Sequence, residues 1–265
     1  MSRAVEIWND FFQNSDEKGF FAMKAFFIIT MMLPVILLWG CTMISHDFSG
    51  VQSAHSFEKT IRKHVGYAYL LHLPSDYSQI IKDYPLIMFL HDSGERGTDI
   101  DKIKLHGMPS FLDKKPEFPF IVVSPQCPDH EYYDNDALIA LLDEVEAKYR
   151  VDKSRVYLTG LSMGGFGTWY LASVHLERFA AVAPVSGWGL SDIVENMKDV
   201  PVWAFHGAND KAVPISEEQE MMDELKKAGG DVRFTVYPNL THNVWKQTYE
   251  NDELYKWFLE HKKKM

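Results

Sequence analysis

Short apolar runs alternating with helix-patterned segments constrain this chain more than any other feature. From about Phe57 onward, "HVGYAYLLHLP", "YPLIMFLH", "FPFIVVSP", "RVYLTG", "FAAVAPVSG", "VPVWAFHG" and "VRFTVYPN" each read as a strand. Unbroken apolar runs suit strands that are covered on both faces. Between them, "NDALIALLDEVEAKY" carries apolar residues at helical spacing, with Asp134 or Asn135 as the cap. "SEEQEMMDELKKAGG" reads as a helix with Ser216 as cap, acidic residues early, lysines late and Gly229 as the stop. The closing "YKWFLEHKKKM" ends in lysines read as a solvated helix end. Strand alternating with helix implies an α/β architecture, a mainly parallel twisted sheet with helices on both faces. Ligands of such sheets bind beyond the carboxyl ends of the strands. No long insertion separates the strand ending near Ser186 from the one beginning at Pro201. A large cap domain is therefore not expected, and an open site would admit a bulky or polymeric substrate.

One turn in this pattern carries chemistry. "VYLTGLSMGGFGTWY" places Gly160-Leu161-Ser162-Met163-Gly164, a G-x-S-x-G motif, between a strand and a helix. Such a turn holds its serine in strained backbone geometry at a helix N-terminus. The bland reading is a glycine-rich turn whose serine merely caps the helix. A serine hydroxyl is a weak nucleophile at neutral pH and needs a base, which needs an orienting acid. On a sheet of this kind the chain order is serine, acid, histidine. Asp210 follows "VPVWAFHG" and His242 follows "VRFTVYPN", each on the loop after a strand. His206 precedes the acid and reads as a packing and hydrogen-bonding residue beneath the site. His175 lies too far along its helix to reach back. Glu217 and Glu218 read as residues that compensate the helix dipole. The oxyanion donors expected are the backbone N–H groups of Met163 and of Ser93, in the loop "DSGERG".

Charge and cysteine content narrow the partners. Lys and Arg number 27 against 37 Asp and Glu, giving a formal charge of −10. That balance argues against nucleic acid or another polyanion. Two cysteines, Cys41 and Cys127, exclude a disulfide framework, and no Cys/His spacing suggests a zinc site. Near the N-terminus, "MKAFFIITMMLPVILLWGC" (Met23 to Cys41) joins a lysine to an apolar run that ends in Gly40-Cys41. This is the pattern of an export signal, and "LWGC" resembles a lipobox whose cysteine takes the lipid. Translation is expected to begin at Met23, residues 1–40 to be the targeting segment and 41–56 a tether. An exported, membrane-anchored bacterial lipoprotein is expected, with an uncleaved membrane anchor as the alternative. Cys127 would then be an unpaired, buried thiol.

"LHDSGERGTD", "PQCP", "GLSMGGFGTWYLA", "FHGANDKAVP" and "THNVW" together resemble the α/β-hydrolase superfamily. More narrowly they resemble the secreted esterases and predicted peptidases related to feruloyl esterases, polyhydroxybutyrate depolymerases and dienelactone hydrolases. The resemblance covers roughly Phe57 to the C-terminus and implies an α/β-hydrolase domain over 57–265. It implies Ser162 as nucleophile, Asp210 as acid and His242 as base, with no metal or organic cofactor. The group has His-Gly where this chain has His91-Asp92, which places an added side chain and charge near the oxyanion loop. Trp188, after "PVSG", is expected to line the cleft or else to be a core aromatic, and Gln126 to face substrate. The activity expected is hydrolysis of carboxylic esters through an acyl-enzyme. The alternatives are a serine peptidase and a membrane-tethered binding protein on an inactivated hydrolase scaffold.

Overall fold

The computed structural model describes residues 54–263. The chain falls into two units, residues 1–63 and 64–265. Of the first, residues 54–63 are described and form neither helix nor strand. Phe57 and Ile61, expected inside the domain, are exposed, and the compact unit starts at His64. The targeting segment, the start at Met23, the lipidation site Cys41 and most of the tether lie outside the described residues. Among the described residues, no helix is long and apolar enough to cross a membrane.

Seven strands build one sheet in the second unit: β1 (Tyr69–His72), β2 (Tyr84–Leu90), β3 (Ile121–Pro125), β4 (Val151–Leu161), β5 (Ala181–Val185), β6 (Val202–Gly207) and β7 (Val232–Tyr237). Their order across the sheet is β1-β3-β2-β4-β5-β6-β7. Every neighbouring pair is parallel except β1, which runs antiparallel to β3 at one edge. Among the described residues, four helices of two turns or more accompany them: α1 (Asn135–Lys148), α2 (Met163–Val174), α3 (Ile215–Lys227) and α4 (Asp252–Glu260).

The unbroken apolar runs have a simple physical cause. Successive side chains of a strand point to opposite faces, and both faces here are covered. Leu86, Met88 and Leu90 of β2 join a cluster with Leu138 and Leu142 of α1, Leu171 of α2 and Leu225 of α3. Ile87 and Phe89, between them, join the opposite cluster with Leu254 and Phe258 of α4. All seven residues of β2 are consequently buried. Truncating one such residue, for example Leu158→Ala, removes roughly 2–5 kcal/mol of stability.

Helix ends follow local chemistry, with one departure. Asp134 is the cap of α1, its Oδ1 accepting from the Ala137 N–H at 3.1 Å. Ser216 does not cap α3: that helix opens at Ile215 behind Pro214, with no side-chain cap, and Ser216 lies within its first turn. Pro214, at φ −56°, leads the chain into the helix ahead of Ser216. The helix stops at Gly229, whose φ of +88° suits a residue without Cβ. Between β5 and β6 the chain holds only the one-turn helix Ser191–Val194 and the tight turn Glu195–Asp199, with no inserted domain. Ser162, Asp210 and His242 thus follow β4, β6 and β7 at the carboxyl-end side of the sheet.

Candidate active site

Ser162 joins β4 to α2 with φ 56° and ψ −112°. A positive φ is costly for a residue with a Cβ, and neighbouring contacts enforce it. The Ser162 N–H donates to the Val185 carbonyl at 2.9 Å, fixing the turn against β5. A Cβ on Gly164 would overlap the Leu90 carbonyl oxygen, so only glycine lets the start of α2 lie this close to β2.

The three side chains singled out in the sequence meet at this turn. Ser162 Oγ lies 2.9 Å from His242 Nε2. His242 Nδ1 lies 2.7 Å from Asp210 Oδ2. The Asp210 side chain is fully buried, and its carboxylate is saturated with partners. Oδ1 accepts from the Ala212 and Val213 N–H groups, each at 2.9 Å. Oδ2 faces both His242 and, at 3.2 Å, His206 Nε2. With an acceptor at Nδ1, His242 keeps its proton there and turns the Nε2 lone pair to the serine O–H. The backbone of His242 is held as well, since Ser186 Oγ donates to its carbonyl at 3.1 Å. Ser186 itself sits at φ 47°.

Beneath Asp210 lies a buried pair. His206 Nδ1 is 2.6 Å from Glu218 Oε2, and both side chains are fully buried. Glu218 also accepts from Trp169 Nε1 and from the Gly187 N–H, each at 3.1 Å. It is therefore a hub joining α2, α3 and the loop after β5, a role beyond the dipole compensation expected from the sequence. Its phase on α3 carries the signal: Glu218 shares a buried stripe with Met221, Met222 and Leu225. Burial pushes the Glu218 carboxyl up, against the pull of His206. For His206, burial opposes the charge, but the Glu218 carboxylate outweighs it and the net shift is upward. Both shifts say that the pair retains a proton. His206 takes the place expected of it, buried under the acid.

The loop after β2 is shaped by His91. Its Nε2 faces the Cys127 N–H at 2.9 Å and must accept. The ring proton is therefore on Nδ1, which donates to the Asp92 carbonyl at 2.6 Å. Burial lowers the pKa of His91 to about 4, so the ring stays neutral in ordinary buffers. Among the described residues, neither the Ser93 N–H nor the Met163 N–H has a protein acceptor. The Asp92 carboxylate is folded back into its own turn, Oδ1 accepting from the Gly94 N–H at 2.6 Å.

Trp188 and Gln126, both expected to contact substrate, differ in exposure and in partners. Trp188 is half-buried and stacks on Phe166 with centroids 5.2 Å apart. Phe166, one helical turn beyond Ser162, stacks in turn on Tyr170 and meets Tyr132 edge-on. Gln126 is 2% exposed, and its amide group donates to the Glu95 and Asp99 carbonyls at 3.0 and 2.6 Å. It ties the loop after β2 to the end of β3 and does not present its amide N–H groups to solvent. Cys127 is a buried free thiol, its pKa pushed up to about 12 by burial.

Known proteins are similar to this chain over part of its length. Residues 126–256, which include Ser162, Asp210 and His242, match the dienelactone hydrolase family. A probable feruloyl esterase C of Aspergillus terreus is 28% identical over 62% of this chain and 63% of its own length. The carboxylesterase SOBER1 of Arabidopsis thaliana is 29% identical over 49% of this chain and 59% of its own. The crystal structure of a thermostable esterase superposes with a TM-score of 0.66 at 32% identity, covering 73% of this chain and 59% of that one. The chain thus spans less than two thirds of the length of each of these relatives. The described sheet and its order agree with an α/β-hydrolase fold, and just under half of the chain, residues 126–256, matches the dienelactone hydrolase family.

Proposed function

We propose that this protein is a serine hydrolase that cleaves carboxylic esters through an acyl-enzyme. The observation that carries the reading is the continuous line from Asp210 Oδ2 to His242 Nδ1 (2.7 Å) and from His242 Nε2 to Ser162 Oγ (2.9 Å). In this reading, Ser162 Oγ attacks the ester carbonyl carbon as His242 Nε2 takes its proton. The tetrahedral oxyanion is met by the N–H groups of Met163 and Ser93. Collapse expels the alcohol, which receives the proton from His242. Water, activated by the same imidazole, then releases the acid. Asp210 holds the His242 tautomer and balances the imidazolium charge. No step draws on a metal or an organic cofactor.

The relatives named as feruloyl esterase and carboxylesterase favour esters over peptides. The lack of an inserted domain between β5 and β6 favours a bulky or polymeric ester. Trp188 and Phe166 would offer a flat apolar surface to it. An inactivated scaffold is disfavoured by the hydrogen-bonded line at Ser162, and Asp92, which motivates that alternative, turns its carboxylate into its own loop. A fluorophosphonate probe tests the reading: the protein should label at Ser162 and Ser162→Ala should not. Wild type that resists the probe and turns over no p-nitrophenyl ester overturns it. Faster cleavage of peptide amides than of matched esters would favour the peptidase.

We also propose, from the Met23 to Cys41 segment, that the chain is exported and anchored by lipid at Cys41. Metabolic palmitate labelling that persists in Cys41→Ala would overturn that.

A further inference from the structure

Three side chains in the segment between β2 and β3 converge without satisfying one another. Asp92, Glu95 and His106 each bring one donor atom, and these atoms lie within 4.8 Å of each other. Glu95 is 1% exposed. Its Oε1 accepts from the His106 backbone N–H at 2.9 Å, but its buried Oε2 has no hydrogen-bond partner. The His106 Nδ1 atom is also buried and without a hydrogen bond, although it lies 3.2 Å from Glu95 Oε1 and 3.7 Å from Asp92 Oδ2. The distances are those of contact, yet the directions are not those of an N–H donating to an oxygen. Among the ion pairs of the described residues, none brings a lysine or arginine to Asp92 or Glu95. Buried polar atoms rarely stay unpartnered without a reason.

We propose that Asp92, Glu95 and His106 form a binding site for one divalent cation of the zinc type. One imidazole nitrogen with two carboxylate oxygens is a donor set for zinc and its first-row neighbours, whereas calcium and magnesium take oxygen shells. The cation would sit among the three clustered donors and supply the partner that Glu95 Oε2 and His106 Nδ1 lack. Water completes its shell, because the His106 side chain is 43% exposed. The ion would play no part in bond cleavage. Ser93 lies between two of the ligands, and the His106 ring packs edge-on against Trp245 with centroids 5.4 Å apart. Trp245 opens the short helix just after His242. The cation would therefore brace the loop of Ser93 against the loop of His242. Cys/His spacing carries no trace of this set, whose ligands come together only when the segment folds back on itself.

The test is direct and does not depend on the hydrolase reading. Zinc chloride is titrated by calorimetry into the full chain after chelator treatment, beside His106→Ala and Asp92→Gly. Wild type should bind one ion per chain and gain in Tm on zinc addition. Each variant should lose at least about tenfold in affinity and lose the Tm gain. Tryptophan emission should change on zinc addition in wild type and not in Trp245→Phe, which should still bind. Absence of saturable binding by wild type, or an unchanged one-to-one isotherm in both variants, overturns the proposal.

Discussion

The Nδ1–H of His91 donates to the carbonyl oxygen of Asp92 at 2.6 Å. That carbonyl belongs to the peptide whose nitrogen is Ser93, and in a trans peptide C=O and N–H point opposite ways. Holding the oxygen toward His91 thus aims the Ser93 N–H away from it. His91 is a positioning residue for the proposed oxyanion donor. His91→Asn should lower kcat for an activated ester by at least about tenfold, short of the 10²–10³ of losing a donor outright. KM should change much less. Steady-state kinetics with a melting curve as control decide it; unchanged kcat in a folded variant would count against the Ser93 assignment.

The Asp210 carboxylate accepts three hydrogen bonds, of which His242 Nδ1 supplies one. Asp210→Asn keeps the shape but offers an N–H group where Oδ2 or Oδ1 accepted. His242 would then carry its proton on Nε2 and present no lone pair to Ser162. The expected loss in kcat is on the order of 10⁴. Fluorophosphonate labelling should slow in parallel, which kinetic labelling would measure.

Proton retention by His206 and Glu218 gives stability a defined pH dependence. A carboxyl raised above its ordinary 4.5 keeps its proton in the folded state after the unfolded chain has lost it, so stability falls as pH rises from 4.5. An imidazole raised above 6.5 adds a fall in the same direction above 6.5. Glu218→Gln removes the first effect and leaves burial of His206 opposed only by the Val213 carbonyl and the Asp210 charge. Its Tm should lie below that of wild type most clearly near pH 4.5, and the gap should narrow as pH rises. Thermal melts across that range provide the check, and a gap that widens with pH would contradict the pairing.

Trp188 and Phe166 stack at 5.2 Å beside the nucleophile turn. An aromatic pair of this kind adds about 0.5–1.5 kcal/mol beyond burial. If a planar acyl or alcohol group extends the stack, Trp188→Ala should raise KM for aryl esters several-fold. Acetyl esters should be nearly unaffected. Equal effects on both would place Trp188 in the core alone.

The positions of Ser162, Asp210 and His242 were legible because each follows a strand end, and chain order in a parallel sheet dictates which ends meet. Residues that act by facing inward were not. Gln126 follows β3 as a site residue would, but its amide is spent on two carbonyls of a loop distant in sequence. Glu218 stands beside Glu217 in a first turn, where composition alone suggests dipole compensation. Only its phase with Met221, Met222 and Leu225 distinguishes the inward glutamate from the outward one. Ser216 reads as the cap of α3, but the cap position is Pro214, two residues earlier, with no side-chain oxygen bonded there.

The backbone of Ser162, at φ 56° and ψ −112°, implies a conflict between two kinds of selection. Glycine would adopt that conformation without Cβ strain, so Ser162→Gly should melt above wild type while being inert. A variant library screened for heat resistance alone would drift toward glycine at this position, and only a demand for turnover would keep the hydroxyl in place.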